Sequence, residues 1–254
     1  MITLSSDFGS PYPAAMKGVI LQASDARLVD VSHEFPRQDV RAAAFWLREV
    51  LPYFPPAVHC VVVDPGVSTD RAAIIVRVGE HALVAPDNGV AMPAARALAG
   101  EGDAIEVFEI EVEDLASATF HGRDVFAPTA ATVHETGVGA LHDADGLVRA
   151  DDYEDLTFPQ ATVSDTGASG EVLVVDGFGN AVTNIPGEAV ADRFGEQVHI
   201  NAGPAPVRRT YAAVEPGQRL VTVGSHGNVE LAVNRGRGDE AFRLGVGNRG
   251  ELSY

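Results

Sequence analysis

Two different rhythms of apolar and polar positions divide this chain. Up to about residue 140, short apolar runs alternate with segments whose apolar residues recur at helical spacing. The runs Ile2-Thr3-Leu4, Leu28-Val29-Asp30-Val31, Val58 to Val63, Ala73 to Val78, Ala82-Leu83-Val84 and Ile105-Glu106-Val107-Phe108 predict strands. Ala14 to Gln22, Val40 to Leu51, Val90 to Leu98 and Val125 to His134 predict helices. In the second of these, Ala43, Phe45-Trp46 and Val50 fall on one helical face. Strands alternating with helices imply a layered, largely parallel α/β domain.

The rhythm changes after residue 150. From Ala150 to Gly170, Asp, Glu, Ser, Thr and Gly dominate, which reads as a linker crossing the surface. Short β-rich runs follow at Val172-Leu173-Val174-Val175, Val198-His199-Ile200, Leu220-Val221-Thr222-Val223, Val229 to Val233 and Phe242 to Val246. Pro204, Pro216-Gly217 and Gly236-Arg237-Gly238 punctuate them, as suits a small barrel or sandwich. The expected organisation is an N-terminal layered α/β (Rossmann-like) domain over 1–150, a linker over 151–170 and a small C-terminal β-barrel domain over 171–254.

Length and charge narrow the function classes. At 254 residues with 46% apolar content, the chain can bury a sizeable core. Its net charge of −18 arises from 36 acids against 18 bases, with Lys17 the only lysine. Such a surface repels phosphates, which argues against nucleic acid and anionic membranes as partners. Acid spread along the chain in place of lysine suits a salt-rich cytoplasm, where screening tolerates self-repulsion. Cys60 is alone, inside an apolar run, and implies a core residue and no internal disulfide. No leader-like start and no membrane-length apolar window are visible, so a cytoplasmic location is expected.

Reactive side chains gather at turns. Asp64-Pro65-Gly66-Val67-Ser68-Thr69-Asp70-Arg71 follows a buried strand, where open α/β sheets commonly carry working groups. Phe120-His121-Gly122-Arg123-Asp124 sets a histidine against a glycine before a helix. A carboxylate, a guanidinium and an imidazole at tight turns can hold and polarise one small nucleophile. No cysteine cluster or metal-type histidine spacing accompanies them, which points to water-using chemistry without a metal. Taken singly, each has a plainer reading: Asp64 and Arg71 as an ion pair bracing their loop, His121 as a helix-entry residue. Asp7, directly after the first strand, either accepts the hydroxyls of a ribose or caps a turn. Asp176-Gly177-Phe178-Gly179-Asn180 either wraps a polar ligand or forms a bulged hairpin. Tyr211 offers an aromatic face, near Ser225-His226-Gly227-Asn228 and Asn234, and Asn88 reads as a turn residue.

In this order and spacing the stretches resemble the S-adenosyl-L-methionine hydroxide adenosyltransferase family, related to the fluorinase and chlorinase enzymes. The likeness runs from Asp7-Phe8-Gly9 and Met16-Lys17-Gly18, through Val31-Ser32-His33-Glu34 and Gln38 to Ala43, as far as Asn234. The resemblance implies an α/β domain followed by a β-barrel, and a homotrimer with active sites between subunits. It implies Asp64, Arg71 and His121 as catalytic residues and Asp7 as the ribose-binding acid. It further implies Asp176 and Asn180 on the methionine amine, Ser225 on its carboxylate, Tyr211 against adenine, and Asn234 with the Val233 backbone on the base edge. Glu230 matches an acid that the family carries before that strand. S-adenosyl-L-methionine would be the substrate, with no cofactor and no metal.

Two departures stand out. Ser10 to Ala15 is shorter than the family's segment and has Pro11 and Pro13 in place of its acid, and Ser68 stands where glycine is usual. The halogenating relatives carry tyrosine near Asp64, serine at Gly122 and an insertion where this chain has only Val78-Gly79-Glu80-His81. Water as nucleophile, giving adenosine and L-methionine, is therefore the expected reaction. A halide adenosyltransferase and a non-catalytic adenosine-binding protein are the rivals.

Overall fold

The computed structural model describes residues 1–111, 119–201 and 203–254, and the chain divides into two compact units, Met1–Thr157 and Phe158–Tyr254. In the first unit, β1 (Ile2–Ser6), α1 (Tyr12–Ala23), β2 (Leu28–Ser32), α2 (Val40–Val50) and β3 (Val58–Val62) form two successive crossovers. They continue into β4 (Ala73–Val78), β5 (His81–Pro86), α3 (Met92–Leu98), β6 (Ile105–Ile110), α4 (Ala127–Thr136) and β7 (Leu147–Arg149). The sheet order is β2-β1-β3-β5-β4-β6-β7.

The first crossover steps from β1 to β2 on one side, and the second returns from β2 past β1 to β3 on the other, so β1 ends between β2 and β3. Right-handed connections running in opposite directions put α1 and α2 on opposite faces of the sheet. Period-two alternation sorts the strands accordingly. Ile2, Leu4, Val58, Cys60 and Val62 pack with Met16, Ile20 and Phe126 in one buried cluster. Thr3 and His59 point to the other face.

The β2-β1-β3-β5 half is parallel. The other half, in a domain expected to be largely parallel, pairs antiparallel from β5 to β4, β6 and β7. The reason lies in the connection: only Gly79 and Glu80 separate β4 from β5, and two residues close a hairpin but leave no room for a crossover.

The second unit is built from β8 (Thr162–Ser164), β9 (Gly167–Val175), β10 (Ala181–Pro186), α5 (Glu188–Ala191), β11 (Gln197–Ile200), β12 (Gly203–Pro206), β13 (Arg219–Val223), β14 (Asn228–Val233), α6 (Gly238–Phe242) and β15 (Arg249–Ser253). Its antiparallel sheet runs β12-β11-β15-β9-β10-β14-β13. A bridge between Val207 and Val221 joins the two ends into a nearly closed barrel around Val172, Ile185, Val198 and Leu231.

Two expectations differ here. The stretch 151–170 contains β8 and the start of β9, paired with each other and with β15. A Cβ on Gly167 would lie 2.2 Å from the Leu252 carbonyl oxygen, so close strand approach keeps that stretch small in residue size and strand-poor in appearance. Phe242 to Val246 is not a strand. It leaves α6 through Arg243 at φ 56°, and Phe242 and Leu244 plug the barrel core.

Candidate active site

Asp7 and Asp64 leave adjacent strands at the point where the order reverses. β1 and β3 are in register from Ile2 opposite Val58 to Ser6 opposite Val62, so both carboxylates follow paired strand ends. Ligands of open α/β sheets bind in this crevice, outside the carboxyl ends of the strands. A cavity of about 550 Å³ opens there, lined by Asp7, Asp64, His121, Phe8, Tyr12 and Phe120 among others. A second cavity of about 400 Å³, beside Met1, Arg77 and His134, has none of the candidate residues in its lining.

The Asp64 loop is held from within. Oδ1 accepts from Gly66 N at 3.0 Å, and Oδ2 accepts from Arg71 Nη2 at 2.5 Å. The pair is sheltered, with side-chain exposures of 5% for Asp64 and 10% for Arg71. Arg71 does not line the cavity. Its Nη1 donates to the Ala72 carbonyl, its guanidinium sits 5.5 Å from the Phe126 ring, and its buried Nε has no partner among the described residues. Arg71 thus stands behind Asp64 and aims it. Ser68 adopts φ 66°, the left-handed region that explains the family's usual glycine.

His121 is buried at 9% exposure, just before a π-helical turn over Gly122–Phe126 that runs into α4. Gly122 is needed for space: a Cβ there would meet Phe120 Cε2 at 3.0 Å and Met16 Sδ at 3.2 Å. Arg123 grips Asp124 with two hydrogen bonds of 2.6 and 2.8 Å.

Sequence reasoning gave no site role to five residues that stand at or beside the cavity. Phe8, Tyr12 and Phe120 meet edge to face with centroids 5.5–6.1 Å apart, an aromatic wall to the cavity. Arg37 lines the mouth. Asn88, read as a turn residue, donates from Nδ2 to the Val63 carbonyl at 2.9 Å and so braces the chain beside Asp64. The Phe8 and Phe120 positions beside Asp7 and His121 were the available signal.

In the second unit, Asp176 to Asn180 form the β9–β10 turn. Asp176 Oδ1 accepts from the backbone N of Phe178 and Asn180, while Oδ2 accepts from Asn180 Nδ2 at 2.9 Å. Tyr211 OH donates to Glu230 Oε2 at 2.7 Å, and Glu230 Oε1 meets His226 Nε2 at 3.0 Å. Burial pushes Glu230 up, but the His226 and Tyr211 hydrogen bonds outweigh it and hold its carboxyl below the ordinary value. Burial first, and the Glu230 contact next, push the Tyr211 hydroxyl up, so it stays a donor. His226 Nδ1 accepts from Asn228 N at 3.2 Å, which assigns its proton to Nε2 and orders the loop holding Ser225. Asn234 Nδ2 donates to the Val214 carbonyl at 2.7 Å, and its backbone pairs with Gly217 and Gln218.

Models of the SAM hydroxide adenosyltransferase N-terminal and C-terminal domains match residues 2–142 and 170–251. The chain belongs to the SAM hydroxide adenosyltransferase family. Relatives named (R)-S-adenosyl-L-methionine hydrolase include one from Salinispora tropica, 38% identical with 98% of this chain and 95% of the relative covered. Another, from Salinispora arenicola, is 40% identical over the same shares, and one from Thermus thermophilus is 39% identical with 95% of each covered. The crystal structure of a conserved protein from Thermotoga maritima matches with a TM-score of 0.85 and 34% identity, both chains covered in full. Within this family's two-domain pattern, every motif quoted from the sequence falls inside a matched domain.

Proposed function

We propose that this protein hydrolyses S-adenosyl-L-methionine to adenosine and L-methionine, by in-line attack of water at C5′. The observation that carries the reading is the buried Asp64–Arg71 pair beside His121, at one cavity with Asp7, in a chain 38–40% identical to hydrolases over nearly all its length. The names of those relatives extend the proposal to the epimer that is (R) at sulfur.

The sulfonium is a cationic leaving group. As the C–S bond breaks, its electron pair returns to sulfur and methionine departs as a neutral thioether, so no acid is required. The new C–O bond comes from water, whose proton passes to Asp64 or His121. Arg71 stays protonated and cannot be that base. It orients Asp64 instead. General-base help is typically worth about 10²–10⁴-fold, and placing water in line with the bond adds to it. A halide would meet the Asp64 carboxylate and be repelled, which favours water.

Asp7 takes the ribose hydroxyls in this reading. Asp176 and Asn180 hold the methionine amine, Ser225 its carboxylate, Tyr211 the adenine face, and Asn234 with the Val233 backbone its edge. Glu230 has both oxygens occupied and acts by orienting Tyr211. The reading uses no metal and no cofactor. It makes the protein a cytoplasmic homotrimer of a salt-rich cell, the second unit of a neighbouring subunit completing each site.

Chromatography after incubation with each sulfonium epimer in ¹⁸O-water tests the proposal. Adenosine carrying the label at O5′, together with methionine, is expected, faster from the (R) epimer and undiminished by a chelator. Only 5′-halogenated nucleoside in halide buffer, or binding without any product, overturns it.

A further inference from the structure

Two sequence motifs, Met16-Lys17-Gly18 and Val31-Ser32-His33-Glu34, have no part in the site described so far beyond the packing of Met16 against Gly122. They come together behind Asp7. Lys17 on α1 donates from Nζ to Asp30 Oδ2 at 2.6 Å, and the other oxygen of Asp30, on β2, lies 3.0 Å from His33 Nε2. His33 Nδ1 in turn meets Ser6 Oγ at 2.7 Å. Burial pushes Asp30 up, but hydrogen bonds from Lys17 and His33 hold it below the ordinary carboxyl range. An ionised carboxylate only accepts, so Nε2 carries the proton; in the neutral ring Nδ1 then accepts from the Ser6 hydroxyl.

Ser6 is fully buried and is the last residue of β1. The backbone carbonyl of His33 also accepts from Gly9 N at 2.9 Å. One residue therefore grips the chain on both sides of Asp7-Phe8. The Asp7 carboxylate itself is steadied by Gln38 N at Oδ2, 2.6 Å away, and faces the cavity.

We propose that the hydrogen-bonded chain Ser6–His33–Asp30–Lys17 is a positioning device that fixes Asp7 for a ribose diol, with His33 as the positioning residue. The inference rests on the ribose role proposed for Asp7. A carboxylate that must meet two vicinal hydroxyls at once tolerates little displacement, and supporting hydrogen bonds set that tolerance. The only lysine of a strongly acidic chain is committed to this purpose.

The test measures Kd for adenosine and for 2′,3′-dideoxyadenosine by calorimetry, in the wild type, His33→Ala, His33→Asn and Lys17→Ala. The wild type prefers adenosine. His33→Ala weakens adenosine by about 5–10-fold and leaves the dideoxy analogue unchanged, the scale of one ordinary hydrogen bond. His33→Asn recovers part of the preference, because its Oδ1 can accept from Ser6 where Nδ1 did. Lys17→Ala, at the exposed end, loses about twofold, and it carries the same comparison should His33→Ala not fold. A preference retained in all variants, or equal weakening of both ligands, overturns the positioning role and leaves Asp7 untouched. A wild type that binds both ligands equally overturns the ribose role of Asp7 and this inference with it.

Discussion

Arg71 directs one guanidinium nitrogen to Asp64 and another to the Ala72 carbonyl, and it stands outside the lining of the cavity where a water would react. Its contribution is to Asp64, and the pair should behave as a unit with His121. Each of Asp64→Ala, Arg71→Ala and His121→Ala is expected to lower kcat by about 10²–10⁴-fold, with the triple variant little worse than the poorest single one. Initial rates of adenosine release check this; losses that simply add would separate the three. Removing either half of the buried pair leaves an uncompensated charge, worth about 3–5 kcal/mol in comparable cases, so melting curves must accompany the rates.

At the scale of elements, the centre of the first sheet carries a buried polar chain of its own. His59 on β3 is hydrogen bonded to Thr3 of β1 at 2.8 Å and to His81 of β5 at 3.0 Å, with the two imidazoles nearly parallel. Burial, and then the neighbouring His81, hold His59 down to about 3, and burial also lowers His81. Above pH 6.5 both folded and unfolded states keep His59 neutral. Between 6.5 and about 3 the unfolded chain binds a proton that the folded one refuses, so stability falls as pH falls. Urea midpoints should drop across that window, and the drop should be shallower in His59→Asn; identical slopes refute the assignment. The strands that carry this chain were legible because continuous apolar runs survive only where both faces are covered. The antiparallel half was legible only in the short Gly79-Glu80 connection, too short for a crossover, because the apolar runs of β4 and β5 look the same in either pairing. Asp7 and Asp64 were legible as strand-end acids. The Tyr211–Glu230–His226 contact and the retreat of Arg71 behind Asp64 depend on side-chain directions that spacing does not carry.

Over the whole molecule, 36 acids against 18 bases leave a net charge of −18, and self-repulsion follows from it. Unfolding midpoints should rise from dilute buffer to molar KCl as the Debye length contracts from about 30 Å to about 3 Å. Midpoints that do not move refute the salt-rich setting. If the sites are shared between neighbours, mixing inactive Asp64→Ala subunits with inactive Asn180→Ala, Ser225→Ala subunits should restore part of the activity. Mixed oligomers without recovery place each site in a single subunit. The sheet order has one more consequence, for association. The barrel ends are bridged by Val207 and Val221, but among the described residues the first sheet stops at β2 and at β7, with no further strand beside them. β7 is only three residues long, and β2 carries Asp30 at its middle. A charge in the centre of an edge strand discourages another edge from adding to it. Asp30 therefore also guards against aggregation, and Asp30→Asn should cluster more readily than the wild type in light scattering at the same salt.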